Sequence, residues 1–192
     1  MSQPILLRPP RARALYVLAH GAGAGMRHRF LESLSAALAA ERVATYRFEF
    51  PYMRSGSKRP DPPAVLEACV RGAVAAAREA APGLPLFAGG KSMGGRMTTQ
   101  AQARDPLPGV RGLILVGFPL HPAGAPATQR GEHLAQLRVP SLFLQGTRDK
   151  LCDLALLRPL LPRGAALHVV DGADHGFHMH RGRRTSAAES SG

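Results

Sequence analysis

Short apolar runs alternate with stretches of helical spacing along almost the whole chain, and that alternation restricts the fold more than any other feature. The runs are ALYVLAH (14–20), VATYRFEF (43–50), LPLFAGG (84–90), GLILVGF (112–118), PSLFLQG (140–146) and ALHVVDG (166–172). Between them the spacing predicts helices from about Phe30 to Arg42, Pro63 to Ala81, Ser92 onward, Thr128 to Leu137 and Leu151 to Leu161. Strands apolar throughout are buried on both faces, and parallel strands need long crossovers to connect them. The pattern therefore predicts an α/β fold: a mostly parallel sheet of six to seven strands with helices on both faces. PILL (4–7) is a candidate extra edge strand.

A chain of 192 residues fits one domain with a single large core. That domain is expected to span residues 1–180, and RGRRTSAAESSG (181–192), which has no apolar period, is expected to be a disordered tail. The start, MSQPILLRPPRAR, lacks the apolar stretch of a signal peptide, and no later run approaches a membrane span, so a soluble, cytoplasmic protein is expected. Cys69 and Cys152 have neither metal spacing nor the density of a disulfide framework, and both read as free thiols.

The formal charge of +12 raises the question of nucleic acid. Of the 25 basic residues 22 are Arg, spread along the chain without a concentrated basic helix, which is the pattern of a solvated surface, so no nucleic-acid partner is expected.

The sequence GGKSMGG (89–95) is open to two chemistries. A phosphate loop needs Gly-x-x-x-x-Gly-Lys-Ser/Thr, but the position where the first glycine would fall is Pro85, and the strand runs on through Leu86 and Phe87. A nucleophile elbow needs small residues two before and two after the serine, and Gly90 and Gly94 flank Ser92 in that way. The plain alternative is a glycine-rich strand-to-helix turn whose serine merely caps the helix.

Serine needs a histidine base, and that base needs a carboxylate to hold its tautomer. Asp149 follows PSLFLQG and His175 follows ALHVVDG, so Ser92, Asp149 and His175 fall in the expected chain order at one edge of a parallel sheet. Asp149 could instead cap the helix near Leu151, with Asp153 as the acid, and His175 could join His178 and His180 in a metal cluster, although no Cys or carboxylate spacing completes one. An oxyanion needs two N–H donors; Met93 supplies one, and the loop HGAGAG (20–25) supplies the other, with Ala22 preferred and Gly23 next. The same loop departs from a dinucleotide fingerprint, because the third glycine position holds Met26 and the acid, Glu49, lies too far on.

With these residues in place the chain resembles the α/β-hydrolase superfamily, in particular the small, cap-less, dienelactone-hydrolase-like branch that includes the hydrolase-like domain of an animal NSL chromatin-complex subunit. The resemblance rests on LAHGAGAGM (18–26), YRFEFPYM (46–53), GGKSMGGRM (89–97), FPLHPAG (118–124), LFLQGTRD (142–149) and GADHGF (172–177). It implies a triad of Ser92, Asp149 and His175, an oxyanion hole at Ala22 and Met93, and a site faced by Tyr52 and His121. It also implies hydrolysis of an ester, thioester or lactone of a small acyl substrate, without metal or organic cofactor. The branch includes interaction domains as well as enzymes, so a non-catalytic partner-binding role is the alternative. Relatives end with a helix packed on the sheet, whereas this sequence ends in the short polar tail. The loop MRSGSKRPDPP (53–63) reads either as a solvated connection or as a basic rim, through Arg54, Lys58 and Arg59, that attracts anionic substrates.

Overall fold

The computed structural model describes residues 3–179. His180 and the tail at 181–192 lie outside them, as does the proposed boundary between domain and tail.

Among the described residues seven strands form one sheet: β1 (Ile5–Leu7), β2 (Ala14–Ala19), β3 (Val43–Phe48), β4 (Leu86–Lys91), β5 (Val110–Val116), β6 (Ser141–Gly146) and β7 (Ala165–Val170). Their order across the sheet is β1-β3-β2-β4-β5-β6-β7, and every neighbouring pair is parallel except β1 with β3. The PILL segment thus supplies the antiparallel edge strand.

On β2 the side chains of Leu15, Val17 and Ala19 enter one core, and those of Tyr16 and Leu18 enter a second on the other face. This two-sided burial is why the strand is apolar at every position. The larger core lies under helices α3 (Pro63–Ala80) and α4 (Met93–Arg104), and the smaller under α1 (Arg29–Ala40). The one polar atom on Tyr16, its hydroxyl, is satisfied by donating to the Ile114 carbonyl at 2.8 Å.

The strand order places the site. The chain runs outward from β2 to β3 and then returns across β2 to β4, so the loops that follow β2 and β4 leave in opposite directions and open a crevice between them, the position where parallel α/β sheets bind ligands. Gly21, Ala22, Ala24 and His28 line one side of that opening and Ser92 the other.

Three segments differ from the sequence expectation. The strand after Val43 stops at Phe48, and Pro51–Arg54 forms a single helical turn, α2, with proline at its start, where a missing N–H costs nothing. The helix expected over Thr128 to Leu137 is a 3-10 helix over Gln129–Gln136, in which Gly131 and Leu134, three residues apart, both turn inward as that tighter spacing requires. The helix expected from Leu151 starts late, as α5 (Leu154–Leu157) and a 3-10 turn (Arg158–Leu160), because Asp149 takes the N–H groups of Leu151 and Cys152 into its own turn. No described helix is long and apolar enough to cross a membrane.

Candidate active site

Ser92 sits between β4 and α4 with φ 52° and ψ −121°, a backbone conformation that costs a non-glycine residue on the order of 1–3 kcal/mol and persists only where the surroundings enforce it. The surroundings do so here. The Ser92 N–H donates to the Val116 carbonyl at 2.9 Å, and Arg96 closes the first helical turn on the Ser92 carbonyl at 3.1 Å. The flanking glycines allow the turn to press against β2: a Cβ on Gly94 would lie 2.6 Å from the carbonyl oxygens of both Ala19 and His20, and one on Gly90 would collide with the Ala19 carbonyl. Gly94→Ala is therefore expected to destabilise the fold by about 1–3 kcal/mol through overpacking, read as a fall in melting temperature. An unchanged Tm would mean that the turn can relax away from β2.

The Ser92 side chain makes no capping bond to α4. Its hydroxyl lies 2.8 Å from His175 Nε2, and His175 Nδ1 lies 2.8 Å from Asp149 Oδ2. With the Nδ1 proton donated to Asp149, Nε2 is the acceptor for the serine hydroxyl. The Asp149 side chain is wholly buried. Its Oδ2 also accepts from Gln145 Nε2 at 2.6 Å and its Oδ1 from the Leu151 N–H at 2.8 Å, so three donors fix the carboxylate. Gln145 is in turn held through its Oε1, which accepts from the Phe118 N–H at 2.9 Å. Asp153, the alternative acid, is engaged elsewhere: its carboxylate caps α5 by accepting from the Ala155 N–H at 2.8 Å. The metal grouping is only partly within the described residues. There, both ring nitrogens of His175 face Ser92 and Asp149, while His178 lies against Asp174 and Arg29.

The loop after β2 is held in place by buried groups. His20 Nδ1 donates to the Gly21 carbonyl at 2.8 Å and its Nε2 accepts from the Phe50 N–H at 3.1 Å, an arrangement that needs the neutral ring; burial lowers its pKa accordingly. The Gly23 N–H donates to the Tyr52 hydroxyl at 3.1 Å, the Ala24 N–H to the Gly21 carbonyl at 3.3 Å, and the Met26 N–H to Glu49 Oε1 at 3.3 Å. Glu49, the acid weighed for a dinucleotide, thus braces this loop. Ala22 remains at the exposed rim beside Ser92, and the Met93 N–H is one of the first-turn donors of α4, which point out of the helix.

Tyr52 and His121 are placed differently from what the resemblance implies. Tyr52 is 2% exposed and reaches the site only from behind, through its bond to Gly23. His121 is 4% exposed; its Nδ1 donates to the Pro122 carbonyl and its Nε2 accepts from the Asp153 N–H, tying the loop after β5 to the start of α5. Neither borders the cavity onto which Ser92 opens, because both rings are spent on loop architecture. Arg54, Lys58 and Arg59 are exposed and do not border it either.

That cavity measures about 800 Å³ and runs from Ala22 past Ser92 and His175 to Phe30, Phe177 and His178. A second depression, of about 410 Å³, lies at the opposite edge of the sheet between Arg78, Glu79 and Gly109. Sequence reasoning missed one residue in the larger cavity, Lys91. It falls within the string that the Gly-Lys-Ser reading draws on, and nothing along the chain marks its partner. Its Nζ donates to the His175 carbonyl at 2.6 Å and lies 5.8 Å and 5.6 Å from the ring centres of Phe30 and Phe177. Burial pulls its pKa down to about 8, against the opposing pull of Asp149 and Asp174.

A strand-to-helix serine at the crevice of a mostly parallel sheet, with a histidine and a buried aspartate from the loops after β7 and β6, is the architecture of the α/β hydrolases. Residues 12–191 match the family described as the alpha/beta hydrolase domain, and the chain belongs to that family. Solved structures agree on the fold. An α/β serine hydrolase homologue from Coxiella burnetii superposes with a TM-score of 0.76 at 19% identity, over 91% of this chain and 84% of that one. A dienelactone hydrolase from Anabaena variabilis gives 0.71 at 19% identity, over 91% and 82%. An α/β serine hydrolase without a lid from Xanthomonas campestris gives 0.70 at 18% identity, over 91% and 80%. Among the described residues no element forms a cap over the sheet edge.

Proposed function

We propose that this hydrolase acts through Ser92 on an ester, thioester or lactone of a small molecule. Ser92 Oγ attacks the acyl carbonyl as its proton passes to His175 Nε2, with Asp149 holding the ring and stabilising its cation. The tetrahedral oxyanion is met by the N–H groups of Ala22 and Met93; Ala22 is favoured over Gly23, whose N–H is already bonded to Tyr52. Collapse breaks the bond to the leaving alcohol or thiol, which takes the proton from His175. Water, deprotonated by the same ring, then attacks the acyl-enzyme and releases the acid. No step requires a metal or organic cofactor.

The observation that carries this reading is the continuous chain of 2.8 Å contacts from Ser92 through His175 to a buried Asp149. A structural turn has no need of a strained serine whose hydroxyl avoids its own helix. The decisive experiment is labelling with a fluorophosphonate probe. Wild type is expected to be modified at Ser92 and Ser92→Ala to be inert. Folded wild type that resists the probe would replace this reading with that of an interaction domain.

A further inference from the structure

We propose that Lys91 is a positioning residue that clamps the segment carrying His175 against the strand carrying Ser92. This rests on the hydrolase reading above for its functional meaning, and on geometry alone for the clamp itself.

Residues 174–178 are largely self-contained. The N–H groups of Asp174, Phe177 and His178 all bond within the segment, to the His178 carbonyl, the Asp174 carbonyl and Asp174 Oδ1. Among the described residues, the main-chain bond that joins this segment to the rest of the protein is the one from Lys91 Nζ to the His175 carbonyl. Asp149 and Ser92 hold the ring, whereas Lys91 holds the backbone that delivers the ring. Because Lys91 and Ser92 are consecutive, one short piece of chain fixes both ends of the serine–histidine contact.

The seat of the ammonium is shaped for it. The rings of Phe30 and Phe177 flank it, with their own centres 5.9 Å apart. Gly117 forms the floor: a Cβ there would lie 2.9 Å from Nζ and 3.6 Å from Asp149 Oδ2, so any larger residue would push the cation away from the carbonyl. The titratable groups facing it are Asp149 from the loop after β6, and Asp174 and His175 from the loop after β7. Toward Lys91, α1 presents Phe30 and the end of β5 presents Gly117, neither of which titrates, and the charged Arg29 of α1 borders the same cavity together with His28 and His178.

A misplacement of the reacting atoms by about 1 Å costs roughly 100-fold in rate, so loosening this segment should act on turnover more than on substrate capture. With p-nitrophenyl acetate as the probe substrate, Lys91→Met is expected to lower kcat about 10- to 100-fold with KM within about twofold, and Lys91→Arg, which keeps a charged donor, to recover much of it. Amide hydrogen exchange over 173–179 should quicken about tenfold in Lys91→Met while β2 and β4 amides keep their protection.

The pH dependence separates a clamp from general packing. A lysine pKa below its ordinary value means that the folded state disfavours the ammonium. The contribution of Lys91 to stability should therefore rise between pH 8 and 10, against the opposite contribution of the Cys152 and Cys69 thiols, whose pKa values burial raises, while the weakening donor lets wild-type kcat and the protection of 173–179 fall. The arginine variant should lack that alkaline fall. The wild-type exchange profile stands even if Lys91→Met fails to fold.

Unchanged kcat and exchange in folded Lys91→Met would overturn the clamp, as would an alkaline decline shared by Lys91→Arg. If wild type neither turns over nor takes a fluorophosphonate but its 173–179 protection still falls with Lys91, the clamp stands and the hydrolase reading is the one that fails.

Discussion

Ser92→Ala and His175→Ala are each expected to remove nearly all turnover, by roughly 10⁴- to 10⁶-fold, and the double variant to lose little more. On the proposed mechanism the two side chains perform one act. Ser92 at ordinary pH is a weak nucleophile whose hydroxyl reacts only as its proton leaves, and the acceptor of that proton is His175 Nε2, 2.8 Å away. Without the base the hydroxyl stays protonated; without the hydroxyl the base has nothing to activate but water. What survives in every variant is the contribution of the N–H donors at Ala22 and Met93 and of the cavity, which neither substitution touches. The measurement is kcat/KM of the two single variants and the double variant on one activated ester, with far-UV circular dichroism to establish that all three fold. Losses that multiply in the double variant would mean that the residues act independently, and the reading of them as a unit would fall.

What could be read in the sequence depended on how local the physical requirement is. The glycines around Ser92 were legible because a sharp turn pressed against β2 excludes a Cβ wherever it occurs, so the constraint is written within five residues. Asp149 and His175 were legible because the C-terminal ends of parallel strands share one edge, which places the residues that follow them without any knowledge of packing. Tyr52 and His121 were assigned to the right region but to the wrong side of it. Each lies near the end of a strand at the site's edge, yet a ring's direction is decided by which nearby N–H or carbonyl takes it as a partner, and the Gly23 N–H and Asp153 N–H claim them. The bond from Lys91 to the His175 carbonyl spans 84 residues, and no pattern along the chain could have announced it. The late start of α5 has a similar origin: Leu151 and Cys152 have helical company in sequence, but their N–H groups serve the Asp149 turn.

Asp149→Asn is expected to lower turnover by about 10⁴-fold, whereas Asp153→Asn should stay within about twofold of wild type. The difference follows from how many donors each carboxylate receives. Asp149 accepts from three: His175 Nδ1 and Gln145 Nε2 on Oδ2, and the Leu151 N–H on Oδ1. Asparagine offers a single acceptor oxygen, so in either orientation its amide nitrogen must face a donor. With the nitrogen toward His175 and Gln145, the Gln145 amide loses its acceptor and the imidazole escapes the conflict by moving its proton to Nε2, and a protonated Nε2 cannot take the proton of Ser92. With the nitrogen toward Leu151, a half-buried N–H loses its partner, at a cost of about 1 kcal/mol. The substitution should therefore also lower Tm, and activity must be compared at a temperature where both proteins are folded. Asp153 accepts from a single donor, the Ala155 N–H at 2.8 Å, and asparagine caps a helix about as well as aspartate does. Its own N–H, the partner of His121, belongs to the backbone and survives the change. Steady-state kinetics on the two variants decide the matter: a large loss in Asp153→Asn with Asp149→Asn near wild type would transfer the role of the acid to Asp153.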